Sequence, residues 1–179
     1  MQEPLGAAMA KGGGRLGPVG RALMAVARVF ALVGGVAFVA LVAMQIVTIV
    51  GRKLFAWTVP GDLELLQMGA AFASASFFAW CHMVGGEVKV DFFTDHLAPR
   101  RVARMDAFGA LLVALFGAVI AWRTGAGALS VKEAGETSAI VGLPVWIPMA
   151  MMVPSFVLLA ACALYRAIHL LRRASRLTA

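Results

Sequence analysis

The chain has 179 residues, of which 61% are hydrophobic and 14% charged, and its mean hydropathy is +0.88. Soluble domains carry about 25% charged residues, so this composition excludes an ordinary soluble protein and is typical of an integral membrane protein. The net charge of +7 does not indicate nucleic-acid binding, because the basic residues stand at the ends of apolar blocks, as retention at an anionic membrane face requires.

Four apolar blocks predict an all-α membrane protein with transmembrane helices at about 22–50, 63–84, 99–128 and 144–171. A polar segment from His82 to Asp106 separates the second helix from the third and predicts two helical hairpins. Residues 1–20 and 174–179 are interpreted as cytoplasmic tails, and 21–173 as one transmembrane domain whose helices 1, 3 and 4 extend into the interface. Blocks 1, 2 and 4 are long enough to span, whereas block 3 has 16 uncharged residues and spans only with Arg123 at the interface.

The distribution of the 16 Lys and Arg residues predicts the orientation. The N-terminal segment, the central segment and the C-terminal segment hold four each, while the two remaining loops hold two each. By the positive-inside rule, both termini face the cytoplasm. The two sparse loops, which contain Arg52 and Lys53 in one case and Arg123 and Lys132 in the other, then face the outside.

Small residues at helical spacing predict where helices pack. Gly69 and Ala73 are four apart in helix 2, and Ala110, Ala114 and Ala118 repeat at the same spacing in helix 3. Small side chains allow close backbone approach in lipid. Pro154 lies inside helix 4 and predicts a static kink.

The sequence contains no familiar catalytic pattern. No Asp or Glu lies at mid-membrane, and no phosphate loop, CxxC pair or Ser/His/Asp pattern is present. We therefore expect no enzymatic activity, metal or cofactor. One alternative stays open: His82 and His169, near the inner ends of helices 2 and 4, are placed as they would be in a haem-binding membrane anchor of a respiratory redox complex. A self-contained small transporter is a second alternative.

Several short motifs occur in a recognisable order. The first helix ends in a basic and an aromatic residue, and a Pro-Gly turn and an acidic residue follow it. The polar middle holds a pattern that resembles the GGHIRVD of a known family, with Glu87 in place of His and Lys89 in place of Arg. A basic helix start follows, and then an acidic loop that leads into a Pro- and Trp-containing helix start. The residues are Arg52, Phe55, Pro60, Gly61, Glu64, Gly85, Gly86, Lys89, Asp91, Pro99, Arg100, Arg101, Glu136, Ser138, Pro144, Trp146 and Pro148.

In this order the motifs resemble the small membrane subunit, the DctQ-like component, of the tripartite ATP-independent periplasmic (TRAP) transporters. The resemblance implies a multi-pass scaffold in the bacterial inner membrane that pairs with a large permease subunit. That complex would take up an organic acid, delivered by a periplasmic binding protein, by ion-driven symport. Two hypotheses follow: Lys89 and Asp91 pin the linker between the hairpins, by pairing with each other or with Arg100 or Arg101, and the outer bases meet acids on the binding protein.

Overall fold

The computed structural model describes residues 17–86 and 99–176. Within them the chain forms four long helices: α1 (Pro18–Phe55), α2 (Asp62–Val84), α3 (Pro99–Ala134) and α4 (Trp146–Arg176). The described part holds no β-strand beyond a single bridge between Thr137 and Pro144. An all-helical fold is thus confirmed.

Helix ends are set by backbone signals rather than by the limits of the apolar runs. Pro18 stands in the first turn of α1, where its missing N–H costs nothing. Gly135, with φ of 65°, follows the last residue of α3. As a result α1 is longer at both ends than the expected 22–50, and α3 continues past the expected residue 128. Pro144, expected to begin the fourth helix, lies in the loop before α4.

The helices form an open row in the order α1, α2, α4, α3. Successive helices of the chain pair as two hairpins, α1 with α2 and α3 with α4, and α2 joins the hairpins by packing against α4. Contacts between α1 and α4 are few, and among the described residues the backbone of α3 approaches only that of α4. We call the end of the row that holds Glu64 the Glu64 end, and the opposite end, which holds Arg166, the Arg166 end.

A seven-residue period forms the contact stripe of α1. Gly20, Ala27, Gly34 and Thr48 are buried at this spacing, and Leu41 packs against Gly69 of α2. A seven-residue period keeps one narrow seam of a helix facing its neighbour. The rest of α1 is open, and only 6% of its most apolar window is buried.

Within the described residues, three helices are long and apolar enough to cross a membrane: α1, residues Arg101–Ala134 of α3, and residues Trp146–Arg172 of α4. The sequence predicted a clear second span and a marginal third one; by length and composition α3 qualifies and α2 does not, and the number of passes stays a prediction. The composition of α2 reflects its packing, because it has a neighbour on each side. Its buried residues are accordingly small or polar rather than large and apolar; they include Ala73, Ala75, Ser76, Ala79 and His82.

Candidate functional site

The loop between α3 and α4 is folded back on itself at the Glu64 end. The N–H of Ser138 donates to the carbonyl of Leu143 at 2.8 Å, and that of Val145 donates to the carbonyl of Glu136 at 3.2 Å. Gly142, with φ of 68°, permits the turn between these two pairs because glycine adopts the left-handed region without strain. The loop therefore presents its backbone N–H groups as a fixed unit.

Glu64 binds this loop through its carboxylate. Its oxygens accept hydrogen bonds from the Ser138 hydroxyl and from the backbone N–H groups of Ile140 and Val141, the last two at 3.2 and 3.3 Å. Glu64 lies in the first turn of α2, where the helix dipole also favours a negative charge. We call Glu64, Ser138, Ile140 and Val141 the latch, because they connect residues 74 to 77 positions apart in the chain and so join the two hairpins.

The latch lowers the pKa of Glu64 from its ordinary value of 4.5. The largest cause is the hydrogen bond from Ser138, and the backbone donors of the loop act in the same direction. Partial desolvation opposes them. The donors favour the ionised carboxylate, so the latch carries a negative charge at neutral pH.

Gly61 completes the approach of the loop to α2. Its φ is 69°, and a Cβ at this position would collide with the Val141 side chain. Its carbonyl accepts the N–H of Leu65 at 3.0 Å, which starts the helix. Gly61 is therefore required both by its backbone conformation and by the lack of space beside the latch.

The bases predicted for the outer face do not form one cluster. Arg52 lies 3.6 Å from Asp62 of α2, but its side chain is 62% exposed, so solvent screens this pair. Lys53 is exposed beside it, and Lys132 lies over the Trp146 ring at 5.0 Å. Arg123 is exposed on α3, nine residues before Lys132, or about 13 Å along the helix. Glu136 is exposed and contributes its backbone, not its carboxylate, to the loop.

At the Arg166 end, the Gly-Gly pair of the central motif terminates α2. Gly85 has φ of 72° and donates to the carbonyl of His82, while Gly86 donates to that of Cys81 at 3.0 Å. These two bonds form a Schellman cap, which requires the left-handed conformation that glycine adopts most easily. The motif glycines thus have a structural role.

A buried arginine packs against this cap. Arg166 of α4 is 5% exposed and donates from Nη1 to the His82 carbonyl at 2.6 Å. Carbonyls at a helix C-terminus carry partial negative charge and attract cations. Arg166 is one of the four bases that the sequence assigns to the C-terminal segment, and nothing in its local pattern distinguishes it from the others, so its role was missed.

The remaining linker residues are only partly described. Lys89 and Asp91 lie outside the described residues. Pro99 and Arg100 begin α3, and Arg101 follows on its exposed side. The pairing of Lys89 with Asp91 or with these arginines therefore stays a prediction.

The structure places the predicted packing residues on two contact faces. Gly69 and Ala73 of α2 face α1, where the Cβ of a side chain at Gly69 would lie 2.8 Å from Leu41. Ala110 and Ala114 of α3 are buried, but Ala118 is exposed. The stripe that faces α4 alternates steps of three and four residues, because a strict four-residue step drifts around the helix. It runs through Ala107, Ala110, Ala114, Gly117, Ala121 and Ala128.

Pro154 lies within α4, which continues on both sides of it. It lines an open apolar groove of about 510 Å³ between α1 and α4, together with Val26, Phe30, Val153 and Val157. Contacts between α1 and α4 are few, and at the Arg166 end Gly20 lies close to the Tyr165 side chain.

The two histidines have different surroundings. His82 is 3% exposed at the end of α2, and His169 stacks on Tyr165 with the ring centroids 6.3 Å apart. Among the described residues, no three His, Cys, Asp or Glu side chains are grouped so that they can hold a metal ion. Cys81 and Cys162 are both free thiols.

Long apolar helices, packed through small residues and joined through polar groups at their ends, define an integral membrane protein. Residues 41–173 match the profile of the family described as tripartite ATP-independent periplasmic transporters, DctQ component. The match covers most of the chain, so the chain belongs to this family, as its motifs predict, and the haem-anchor alternative gains no support. Neither the curated proteins nor the solved structures gave a match.

Proposed function

We propose that this chain is the small permease subunit of a TRAP transporter and acts as a membrane scaffold for the large permease subunit. The family match over residues 41–173 carries this proposal. The complex takes up an organic acid that a periplasmic binding protein delivers, and an ion gradient drives the transport. The chain itself supplies shape and contact surface rather than a transport site.

Two features of the chain support a scaffold. No Asp or Glu occurs between Glu64 and His82, or between Trp146 and the end of the chain, so beyond the first turn of α2 these two helices hold no carboxylate for a proton or cation. The open row also leaves a wide apolar surface, above all on α1, which can be covered by lipid or by a larger membrane subunit.

The proposed placement is the bacterial inner membrane, with four transmembrane helices and both termini in the cytoplasm. Twelve of the 16 Lys and Arg residues lie in the segments that this orientation assigns to the cytoplasm. The Glu64 end then faces the periplasm, and the latch belongs to the surface nearest the binding protein.

Affinity purification of the tagged chain from its native membrane in mild detergent tests the proposal. We expect one polytopic membrane protein, larger than this chain, to copurify in stoichiometric amount. Recovery of the chain alone, or with a flavin or iron–sulfur subunit, would contradict the proposal. Uptake by this chain alone in liposomes would also contradict it, because a scaffold needs the large subunit.

A further inference from the structure

The apolar runs of α1 and α3 have charged residues at both limits. In α1 the uncharged run is 29–51, between Arg28 and Arg52. In α3 it is 107–122, between Asp106 and Arg123. Charged side chains at the limits of such runs prefer water or lipid headgroups, so each run marks where its helix meets hydrocarbon.

Contacts between the helices define a common level across the row. A Cβ at Gly34 of α1 would lie 2.7 Å from Cβ of Ser76 in α2. Ala75, which precedes Ser76 in α2, packs in one hydrophobic cluster with Phe156 of α4 and Ala121 of α3. We call the plane through these residues, perpendicular to the helices, the reference level.

The two runs lie at different heights relative to the reference level. The run of α1 is centred six residues from Gly34 toward the Glu64 end, or about 9 Å along the helix. The run of α3 is centred six to seven residues from Ala121 toward the Arg166 end, or about 10 Å in the opposite direction. Their centres are therefore offset by about 19 Å along the bundle.

The apolar runs of the two middle helices, α2 and α4, are centred at heights between those of α1 and α3. In α2 no Asp, Glu, Lys or Arg occurs from residue 65 to the helix end at Val84, and this stretch is centred within about one residue of Ala75, close to the reference level. In α4 the residues from Trp146 to Tyr165 are centred near Phe156, at the reference level. The height of the apolar band thus changes from α1 to the two middle helices and changes further, in the same direction, to α3.

Arg28 and Arg123 show why an upright row does not fit a bilayer. Both are exposed. Arg28 limits the uncharged run of α1 on the side of the Arg166 end, and Arg123 limits that of α3 on the side of the Glu64 end. Arg28 is six residues from Gly34, and Arg123 is two residues from Ala121 on the other side of the reference level, so they are about 12 Å apart along the bundle. The hydrocarbon core is about 30 Å thick. In an upright row at least one of them would be immersed in hydrocarbon.

We propose that the row crosses the bilayer obliquely, so that lipid covers a diagonal band from the Glu64-end half of α1 to the Arg166-end half of α3. An offset of about 19 Å over three interhelix distances of about 9 Å corresponds to a tilt of about 35°. This tilt places Arg28 about 15 Å from the midplane, at the headgroups of one leaflet, and Arg123 about 10 Å from it on the other side, where its side chain can snorkel to the headgroups. It lies within the observed range for membrane helices.

The length of the α1 run agrees with this tilt. At about 35° the path through a 30 Å core is about 37 Å, which corresponds to about 24 helical residues. The uncharged run 29–51 of α1 has 23, whereas the run of α3 has 16 and is shorter than this path, so the bilayer must thin beside α3 or Arg123 must snorkel. The inference depends only on insertion of the chain in a bilayer, and it holds whether or not the chain is a scaffold for a larger subunit.

Spin labels at matched positions test the tilt. Val42 of α1 and Leu129 of α3 each lie eight residues from the reference level toward the Glu64 end, and both are exposed, by 45% and 63%. Each is replaced by Cys in a full-length Cys81→Ala, Cys162→Ala background, spin-labelled and reconstituted in vesicles of phosphatidylcholine and phosphatidylglycerol. Collision with oxygen and with a water-soluble nickel chelate then gives the depth of each label.

We expect the label at Val42 within about 3 Å of the bilayer midplane and the label at Leu129 near the headgroups, about 17 Å from the midplane. A second pair, Val26 and Leu112, lies on the other side of the reference level and should show the reverse, with Val26 shallow and Leu112 deep. Equal depths within each pair would overturn the proposal, since an upright row gives about 12 Å for both Val42 and Leu129.

Discussion

At the scale of single residues, Glu64 connects the two hairpins through its side chain. Its carboxylate accepts one hydroxyl and two backbone donors from a loop more than 70 positions away. Hydrogen bonds to an ionised acceptor are stronger than neutral ones. Removal of the charge should therefore release the loop without disturbing the helices themselves.

The substitution Glu64→Gln tests the latch. We expect amide exchange at Ile140 and Val141 to become roughly tenfold faster, because the weaker acceptor no longer holds these N–H groups. Glu136→Gln is the matched control, since its carboxylate is exposed and only its backbone takes part in the loop. Equal exchange rates in the wild type and in Glu64→Gln would show that the loop is held by its own backbone bonds.

The latch also predicts a dependence of stability on pH. The folded pKa of Glu64 lies below its unfolded value of about 4.5, so the ionised latch stabilises the fold fully above that value. This contribution is lost as pH falls through the folded pKa. The melting temperature of the wild type should drop more steeply below about pH 4.5 than that of Glu64→Gln. Parallel curves for the two proteins would exclude the latch as the cause.

At the scale of elements, the close approach of the α1 and α2 backbones depends on Gly34. A Cβ at Gly34 would lie 2.7 Å from Cβ of Ser76 and 2.9 Å from the backbone carbonyl of Ala73. Gly35, its neighbour in sequence, has only ordinary contacts with Phe77 at 3.9 Å. The pair therefore offers a substitution and its control one residue apart.

We expect Gly34→Ala to destabilise the protein by about 1–3 kcal/mol, because the backbones of α1 and α2 must separate to admit the methyl group. Gly35→Ala should be neutral or slightly stabilising, since alanine favours the helix. Thermal unfolding in detergent, followed by size-exclusion chromatography, measures both variants. A Gly34→Ala variant as stable as Gly35→Ala would mean that α1 shifts at no cost.

At the scale of the whole molecule, the Glu64 end presents exposed bases to the compartment that we assign to the periplasm. Arg52, Lys53 and Lys132 are exposed there, and the ion pair of Arg52 with Asp62 is screened by solvent because the arginine side chain is exposed. Charges of this kind change the rate of encounter with an oppositely charged partner more than the affinity. The proposed partner is an acidic surface of the periplasmic binding protein.

Reversal of these charges, in the combination Arg52→Glu, Lys53→Glu and Lys132→Glu, should slow uptake by the assembled transporter and weaken its salt dependence. Arg101→Glu is the control, because Arg101 is exposed at the other end of the row. Initial uptake rates of the wild type, the triple variant and the control, measured at several salt concentrations, test this prediction. If the triple variant kept the rate and salt dependence of the wild type, docking through these bases would be wrong.

The sequence by itself determined the helical class, the division into two hairpins and the family. These properties depend on local composition, on the position of charges along the chain and on short motifs such as Gly85-Gly86, whose left-handed helix cap is a property of glycine alone. Spacing also identified the small-residue faces, because residues three or four apart share a side of a helix whatever the helix packs against.

The tertiary structure decided which faces meet. Ala118 is spaced from Ala114 as Ala114 is from Ala110 but is exposed, because the contact face of α3 follows an alternating three-and-four step. The donors of Glu64 and the burial of Arg166 depend on residues more than 70 positions away. No local pattern determines such contacts, because they depend on the order of the helices in the row and on the height at which each helix is held by its neighbours.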